Sequence, residues 1–217
     1  MKIKLMENYL KAFAGTQLVD SRFIERQNEF QGLTGAATAQ LISKCVSFMA
    51  RDLFYLEIGI FQGANLISVA CENKDKICYG VDNFSEHFQE SRTDKTEEEM
   101  VYQRIEKYKC DNIRIANSDF RVWISNNLEI LNKKIGVYMY DGPHGLLDQI
   151  DGIEMVLPLL ADHAVVFVDD LACENTQESI KILIEKYKKN IKPLLGTPND
   201  CSKLGYQQGQ AVLIYER

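Results

Sequence analysis

One stretch of the sequence decides the fold: LFYLEIGIFQGANLISVA, residues 53–70. Its opening segment, 53–58, is mostly apolar and too short for a helix, which is typical of a strand buried on both faces. From Ala64 onward the apolar residues follow helical spacing. Gly59 and Gly63 bracket the turn between the two segments, and glycine tolerates the positive φ that a tight turn needs. The stretch therefore predicts a strand, a glycine turn and a crossover helix, which together form a cradle for a small polar ligand.

The glycine spacing argues against one class of ligand. A dinucleotide fingerprint reads G-x-G-x-x-G, with an acidic residue about 20 positions later. Here the pattern is Glu57-x-Gly59-x-x-x-Gly63, which is the wrong glycine pattern for NAD. Taken alone, this turn is also compatible with the strand, turn and helix of another α/β protein.

The composition is that of one globular domain. The chain has 217 residues, of which 46% are hydrophobic and 26% charged, so disordered and fibrous classes are excluded. A net charge of −6 without a Lys/Arg stripe argues against nucleic acid as a partner. Because no segment has a signal-peptide core or membrane-spanning length, we expect a cytoplasmic protein with no membrane partner. The six cysteines include no C-x-x-C pair and are expected to be reduced thiols.

Further apolar runs also end in acidic residues. We predict strands at 76–82, 113–119, 134–141 and 164–170. Counting the first strand, the acids at the strand ends are Glu57, Asp82, Asp119, Asp141 and the pair Asp169–Asp170. In an open parallel sheet the carboxyl ends of the strands surround one ligand crevice, so these acids should meet there. The last two apolar runs, 191–195 and 211–215, have no helix between them and must be antiparallel if they are adjacent.

For two of these acids the sequence leaves two roles open. Asp82 follows Gly59 by 23 residues. A carboxylate at this point of a nucleotide-binding α/β fold accepts hydrogen bonds from both ribose hydroxyls, and the alternative is a solvated aspartate at a strand end. Asp119 is equally a candidate for the N-cap of the following helix.

Helix starts are predicted from capping residues. Thr38 is assigned as the N-cap of a helix that precedes the first strand. Asn175 and Glu178 have the spacing of a capping box for a late helix. The acidic segment 83–100 is interpreted as a solvated helix start or mobile segment, and a lid over the substrate is the alternative. Short amphipathic helices are expected near the N-terminus.

Four motifs resemble class I S-adenosylmethionine-dependent methyltransferases. They are the Glu57–Gly63 turn, Asp82, the Tyr140-Asp-Gly-Pro-His144 turn and Val168-Asp-Asp170. Their order over residues 50–215 is similar to that of small O-methyltransferase-like members, the methyltransferase-24 type. The resemblance implies an α/β fold with a Rossmann-like, doubly wound seven-stranded sheet of order 3-2-1-4-5-7-6, one antiparallel strand and helices on both faces. It also implies a single S-adenosylmethionine-binding domain, which we place at 36–217. Residues 1–35 are not covered by the resemblance and are expected to form an N-terminal helical extension.

The resemblance further implies a function and a set of site residues. The implied reaction is methyl transfer from S-adenosylmethionine to a hydroxyl of a small-molecule acceptor. The residues expected at the cofactor are Glu57, Gly59, Gly63, Asp82, Ser118, Asp119 and Asp141. His144 and Asp141 are the expected catalytic residues, His144 because an imidazole has an intrinsic pKa suited to a general base.

A metal and two other functions are also considered. Asp141, Asp169 and Asp170 could supply oxygen ligands to a divalent cation such as Mg²⁺, which would lower the pKa of the acceptor hydroxyl. The alternative assigns Asp170 to a helix start and Asp141 to the turn that follows its strand, so that only Asp169 faces the crevice. The other functions are an aminopropyl transferase of the same fold and a partner subunit that has lost catalysis. A homodimer is a possible assembly.

Overall fold

Seven strands form one sheet at the centre of the molecule. The computed structural model describes residues 8, 18–30, 33–85, 96–127, 134–202 and 204–217. The strands are β1 Leu53–Ile58, β2 Ile77–Asp82, β3 Ile113–Asn117, β4 Lys134–Tyr140, β5 Leu160–Val168, β6 Ile191–Gly196 and β7 Ala211–Glu216. They lie in the order β3-β2-β1-β4-β5-β7-β6, and β7 runs antiparallel to both of its neighbours. The predicted strand order and the antiparallel strand are confirmed.

Helices cover both faces of this sheet. They are α1 Ser21–Phe30, α2 Ala36–Phe48, α3 Ala64–Glu72, α4 Glu97–Tyr108, α5 Phe120–Asn127, α6 Leu146–Glu154 and α7 Glu174–Lys186, with a 3₁₀ turn at Leu157–Leu159. Successive side chains of a strand point to opposite faces. Accordingly Tyr55 packs in a core cluster with α2 and α3, whereas Phe54 and Leu56 pack in a second cluster with α5, α6 and α7. This arrangement confirms the doubly wound fold.

The strand register brings the strand-end acids to one level. Ile58 pairs with Val81 on one side and with Tyr140 on the other. Tyr140 in turn pairs with Val168. The residues that come next therefore lie together at the carboxyl edge of the sheet: Gly59, Asp82, Asp141 and Asp169.

The region before α2 contains helix α1 among its described residues. Helix α1 packs Phe23 against Ala36 and Ala39 of α2, and its Arg26 forms an ion pair of 2.6 Å with Glu72 of α3. The short amphipathic helices expected near the N-terminus involve residues 1–17 as well, and of these only residue 8 is described. The domain boundary near residue 35 stays a prediction.

Both predicted N-caps are wrong. Thr38 lies inside α2, which begins after Gly35, and its buried hydroxyl donates to Gln210 Oε1 at 2.7 Å. Helix α7 begins after Cys173, and Asn175 donates to the carbonyl of His144 at 3.2 Å. In both cases a partner distant in sequence takes the side chain that local spacing assigned to a cap.

A capping box occurs at the start of α4 instead. The hydroxyl of Thr96 accepts from the backbone N–H of Glu99, whose carboxylate accepts from the backbone N–H of Thr96. This part of segment 83–100 is a helix start, as expected. The lid alternative concerns mainly residues 86–95, which lie outside the described residues. No helix in the described part of the chain is long and apolar enough to cross a membrane.

Candidate functional site

A cavity of about 320 Å³ opens at the carboxyl edge of the sheet. Its walls are the residues that follow β1, β2, β3 and β4, with Leu33 and Thr34 closing one side. Seven of the predicted site residues line it: Glu57, Gly59, Asp82, Ser118, Asp119, Asp141 and His144. Three others are not among the residues that line it: Gly63, Asp169 and Asp170.

The turn after β1 forms the floor of the cavity. Gly59, Phe61 and Gly63 have φ values of +78°, +47° and +76°. This left-handed backbone folds the turn so tightly that the N–H of Gly63 donates to the carbonyl of Ile60 at 2.7 Å. Gly63 then serves as the N-cap of α3, and its carbonyl accepts the first helical hydrogen bond from Ile67. The predicted strand, glycine turn and helix are confirmed.

The carboxylate of Asp82 holds this turn in place. Its Oδ2 accepts from the backbone N–H groups of Ile60 and Phe61, both at 2.8 Å. Its Oδ1 accepts from the N–H of Phe84, also at 2.8 Å. Since a carboxylate offers about four acceptor positions, these bonds leave roughly one for a ligand. Asp82 is therefore first a brace of the cradle, and a bidentate contact with two hydroxyls has less room than the sequence suggested.

Glu57 is a buried acid beneath the cradle. Only 1% of the residue is exposed. Its Oε2 accepts from the hydroxyl of Tyr55 at 2.7 Å, and Asn65 Nδ2 approaches the same hydroxyl at 3.5 Å. Burial raises the pKa of Glu57 to about 8, because desolvation of the charge outweighs these hydrogen bonds. Glu57 is therefore mostly protonated at neutral pH in the absence of a cationic ligand.

This raised pKa predicts how stability depends on pH. The ordinary pKa of a glutamate is 4.5, so between about pH 4.5 and 8 the folded protein binds one more proton than the unfolded chain. The free energy of unfolding should fall as pH rises through this window, by at most about 1.4 kcal/mol per pH unit from this group. Glu57→Gln should flatten that decline. Urea denaturation at pH 5, 6, 7 and 8 measures it.

A matched control uses an exposed acid. Glu185 has a side chain that is 81% exposed, so Glu185→Gln should leave the pH dependence of the wild-type protein intact. An equal slope in Glu57→Gln and wild type would contradict the assignment of the titrating group to Glu57.

Asp141 and Asp169 are neighbouring acids, of which Asp141 lines the cavity. Asp141 accepts from the hydroxyl of Thr34 at 3.3 Å. Asp169 is 7% exposed and its Oδ1 accepts from Nε2 of Gln210 at 2.6 Å. Burial first, and then the charge of Asp169, raise the pKa of Asp141 well above its ordinary range. Burial raises the pKa of Asp169 less, to about 6, because Gln210 stabilises its charge. The pair can thus hold a proton between its members.

The orientation of Gln210 follows from its own partners. Its Oε1 accepts from the hydroxyls of Thr38 at 2.7 Å and Thr197 at 3.0 Å. Its Nε2 donates to the carbonyl of Tyr206 as well as to Asp169. The backbone carbonyl of Tyr206 can only accept a hydrogen bond, so the Nε2 end of the Gln210 amide must face it. Asp169 lies at the same end and therefore accepts from Nε2 as well. Gln210, which is fully buried, therefore fixes Asp169 Oδ1 as an acceptor.

His144 forms a pair with Asp170. The distance from His144 Nδ1 to Asp170 Oδ2 is 3.3 Å, and 46% of the histidine side chain is exposed. Asp170 has φ +54°, a left-handed backbone that turns its side chain back towards the loop after β4. With Nδ1 directed at the carboxylate, Nε2 is the nitrogen available to a ligand.

Ser118 and Asp119 form the far wall of the cavity. The N–H of Ser118 donates to the carbonyl of Asp82 at 2.9 Å, which ties the two strand ends together. Asp119 Oδ1 accepts from the backbone N–H groups of Arg121 at 2.8 Å and Val122 at 3.3 Å. Asp119 is therefore the N-cap of α5, which was one of the two readings of the sequence.

The three acids proposed for a metal do not meet as a ligand set. Within the described ranges, no three His, Cys, Asp or Glu side chains are arranged to hold a metal ion. Asp169 is engaged by Gln210, and Asp170 faces His144. Part of the alternative interpretation agrees with the structure, since Asp170 lies in the turn that leads to α7.

The sequence analysis did not identify several residues of the site. Asn65 lines the cavity, is 3% exposed, and its Oδ1 has no hydrogen-bond partner among the described residues. A polar residue in the first turn of an otherwise apolar helix was the signal that could have identified it. Thr34 and Gln210 had no such signal, because their partners lie 107 and 41 residues away.

Comparisons with known proteins agree with this geometry. A family model described as a methyltransferase domain matches residues 56–171. The O-methyltransferase from Bacillus cereus, in complex with SAH, has a TM-score of 0.65 at 13% identity, over 92% of each chain. TomG from Streptomyces achromogenes, an O-methyltransferase of tomaymycin synthesis in complex with SAM, has a TM-score of 0.63 at 16% identity, over 100% of each chain. SAH-bound PaMTH1 from Podospora anserina has a TM-score of 0.60 at 13% identity, over 100% of this chain and 97% of that chain. A comparison with curated proteins gave no match.

Proposed function

Because this chain belongs to the family of methyltransferase domains, whose model matches residues 56–171, we propose that it transfers a methyl group from S-adenosylmethionine to a hydroxyl of a small molecule. One observation carries the proposal. The cradle between Gly59 and Gly63, braced by Asp82, opens into a cavity with the unpaired Oδ1 of Asn65. An unpaired buried acceptor needs a donor, and the amino group of the cofactor is one.

The lining of the cavity fits a cationic ligand with a sugar. Five carboxyl groups line it, those of Glu57, Asp82, Glu97, Asp119 and Asp141, and its described wall contains no lysine or arginine. S-adenosylmethionine carries a sulfonium and an ammonium group, which such a wall attracts. In this proposal Asn65 and Glu57 hold the amino-acid end, and Asp82 uses its remaining acceptor position for the ribose. Ser118 and Asp119 lie next to the adenine of the cofactor.

The protein must position the acceptor and remove its proton. The bound sulfonium supplies an activated methyl group, so correct alignment of the acceptor oxygen provides most of the rate enhancement. Two groups at one end of the cavity can accept the hydroxyl proton: Nε2 of His144, and the Asp141–Asp169 pair. His144 is the better candidate, because its imidazole is held by Asp170 and is half exposed, whereas burial favours the protonated form of Asp141.

Assistance by Mg²⁺ stays a prediction. Asp141, Asp169 and Asp170 would have to leave their present partners, Thr34, Gln210 and His144, to form one ligand set. No step of the proposed reaction is therefore assigned to a metal, and the titration that follows includes the ion as a separate arm.

Calorimetric titration with S-adenosylmethionine and S-adenosylhomocysteine tests the proposal. Each ligand is titrated in EDTA and again in Mg²⁺. Micromolar binding, followed by transfer of labelled methyl groups in a screen of small hydroxylated acceptors, is the expected result. Tighter binding in Mg²⁺ would support the metal. The absence of binding under both conditions would contradict the proposal, and binding of decarboxylated S-adenosylmethionine alone would favour aminopropyl transfer.

His144→Ala should impair turnover rather than cofactor binding. Loss of a general base costs about 10²- to 10⁴-fold in kcat, while the Kd of S-adenosylhomocysteine should stay within a factor of about two. Asp170→Asn should show a smaller loss of the same kind, because it disturbs only the orientation of the imidazole. Steady-state kinetics with an acceptor from the screen measure both variants.

The control for this prediction is His163, an exposed histidine outside the cavity. His163 lies in β5, where it pairs with Glu216 of β7, and it is absent from the lining of the cavity. His163→Ala should leave kcat unchanged. If His144→Ala matches His163→Ala in turnover and pH profile, then His144 is not the base.

The remaining expectations concern partners and location. A cytoplasmic location, the lack of nucleic-acid and membrane partners, and a homodimer all stay predictions. The family match supports methyl transfer over the aminopropyl-transferase and inactive-subunit alternatives, since each of the three solved structures named above is a methyltransferase.

A further inference from the structure

Two cysteines are in direct contact on the side of α3 that faces away from the cavity lining. The distance between the sulfurs of Cys71 and Cys110 is 3.2 Å. Cys71 lies in the last turn of α3 and is partly exposed, whereas Cys110 is buried just after the end of α4. Neither residue lines the cavity or belongs to the proposed reaction.

The chain geometry after α4 creates this contact. Lys109 ends the helix with φ +52°, a left-handed conformation that reverses the chain direction. The N–H of Cys110 then donates back to the carbonyl of Ile105 at 3.0 Å. Because of this turn, the sulfur of Cys110 points at α3 and not at solvent.

A cation lies beside the two sulfurs. Lys74 Nζ is 3.5 Å from Cys110 Sγ, and the carbonyls of Tyr108 and Lys109 hold it there at 3.1 and 2.7 Å. The hydrogen bond from Cys71 and the charge of Lys74 lower the pKa of Cys110 to about 7. The same hydrogen bond raises the pKa of Cys71, so Cys71 is the thiol of the pair and Cys110 is the thiolate.

We propose that Cys71 and Cys110 form a dithiol modification site, which oxidants of the peroxide class convert reversibly to a disulfide. Cys71 is the sulfur that peroxide reaches, because it is the more exposed of the two. The thiolate of Cys110 takes the proton of Cys71 while Cys71 Sγ attacks one peroxide oxygen, and the O–O bond breaks to give a sulfenic acid and hydroxide. That hydroxide removes the proton from Cys110 and becomes water. Cys110 Sγ then attacks Cys71 Sγ, the S–S bond forms as the S–O bond breaks, and the second hydroxide takes up a proton from solvent as water. Overall, two thiols and one peroxide give one disulfide and two waters.

Little movement is needed to form this bond. A disulfide has an S–S distance of about 2.05 Å, so the sulfurs must approach by only about 1.2 Å from their present 3.2 Å. The resulting link would join α3, which begins at the cradle, to the end of α4. The closed loop spans 39 residues, so oxidation should raise the Tm.

Peroxide treatment followed by mass spectrometry tests the proposal. Purified full-length protein is treated with hydrogen peroxide at pH 7, alkylated and digested. The expected product is a peptide pair linked through Cys71 and Cys110, with a loss of about 2 Da, reversed by dithiothreitol, and accompanied by a higher Tm. Cys71→Ser and Cys110→Ser should each show neither the link nor the rise in Tm.

Two comparisons make the test specific. Lys74→Met keeps the length of the side chain without its charge and should slow disulfide formation by about threefold. Without the charge the pKa of the thiol rises and the thiolate fraction falls, but each remaining thiolate is more nucleophilic, which offsets part of the loss. Cys201, which is exposed and whose thiol donates to Asn199 Oδ1 at 3.1 Å, serves as the reference thiol. The proposal is overturned if Cys201 is oxidised while Cys71 and Cys110 remain thiols, or if the products are sulfinic acids without the link.

Discussion

Gly59→Ala is expected to destabilise the protein by about 3 kcal/mol or more and to abolish measurable binding of S-adenosylhomocysteine. An alanine Cβ at this position would lie 1.8 Å from the carbonyl oxygen of Asp141. That oxygen belongs to the backbone at the end of β4, where the N–H of Asp141 donates to Ile58 at 2.9 Å. The two strands would have to separate at the point where they form the cavity. The positive φ of +78° adds a further cost of about 1–2 kcal/mol for any residue with a Cβ.

Gly63→Ala is the matched control for this change. Gly63 has nearly the same φ, +76°, but its added Cβ would first meet the Cδ1 atom of Ile67 at 3.0 Å. A flexible side chain can move, so only the conformational cost of about 1–2 kcal/mol should remain. Urea denaturation and calorimetric titration measure both variants. Equal destabilisation of the two would show that the close approach to Asp141 is not what requires glycine at position 59.

Asp82→Ala is expected to unfold the cradle and to weaken binding of S-adenosylhomocysteine by at least about 100-fold. The substitution leaves the N–H groups of Ile60, Phe61 and Phe84 without their acceptor. Hydrogen bonds to a charged group contribute about 1.5–3 kcal/mol each, and water can replace part of this at a partly exposed loop, so we expect a loss of about 3 kcal/mol in stability. If this loss falls on the form of the cradle that binds ligand, the affinity should drop by at least about 100-fold, because a factor of 100 in binding corresponds to about 2.7 kcal/mol.

Asp119→Asn provides the comparison for Asp82. Asp119 also accepts two backbone N–H groups at the cavity wall, but it does so as an exposed N-cap. Asparagine caps a helix about as well as aspartate, so stability should change by less than about 0.5 kcal/mol. Thermal unfolding without ligand measures the structural part of both effects, and titration measures the rest. If Asp82→Ala retains wild-type stability but loses affinity, then the carboxylate serves the ligand and not the turn.

The structure also shows which helix-capping patterns in the sequence did not predict the helix start. The capping pattern at Asn175 and Glu178 was present in sequence, yet α7 begins at Glu174 without a side-chain cap. Thr38 is a good N-cap type, but it lies inside α2, where its buried hydroxyl donates to Gln210 Oε1. At Thr96 and Glu99 no competing partner overrides the capping box, and there the local signal matches the structure.

The sequence by itself determined where strands and helices occur along the chain, where the glycine turn lies, and that the strands end in acids. These features depend on hydrophobic periodicity and on backbone conformations that only certain residues tolerate, both of which are local. The tertiary structure decided what each acid does: Asp82 braces a turn, Asp169 faces Gln210, and Asp170 faces His144. It also decided that Cys71 touches Cys110, across 39 residues. Such partners are chosen by the packing of distant segments, because a buried polar group must find a partner wherever the fold brings one, and that choice leaves no periodic trace in the chain.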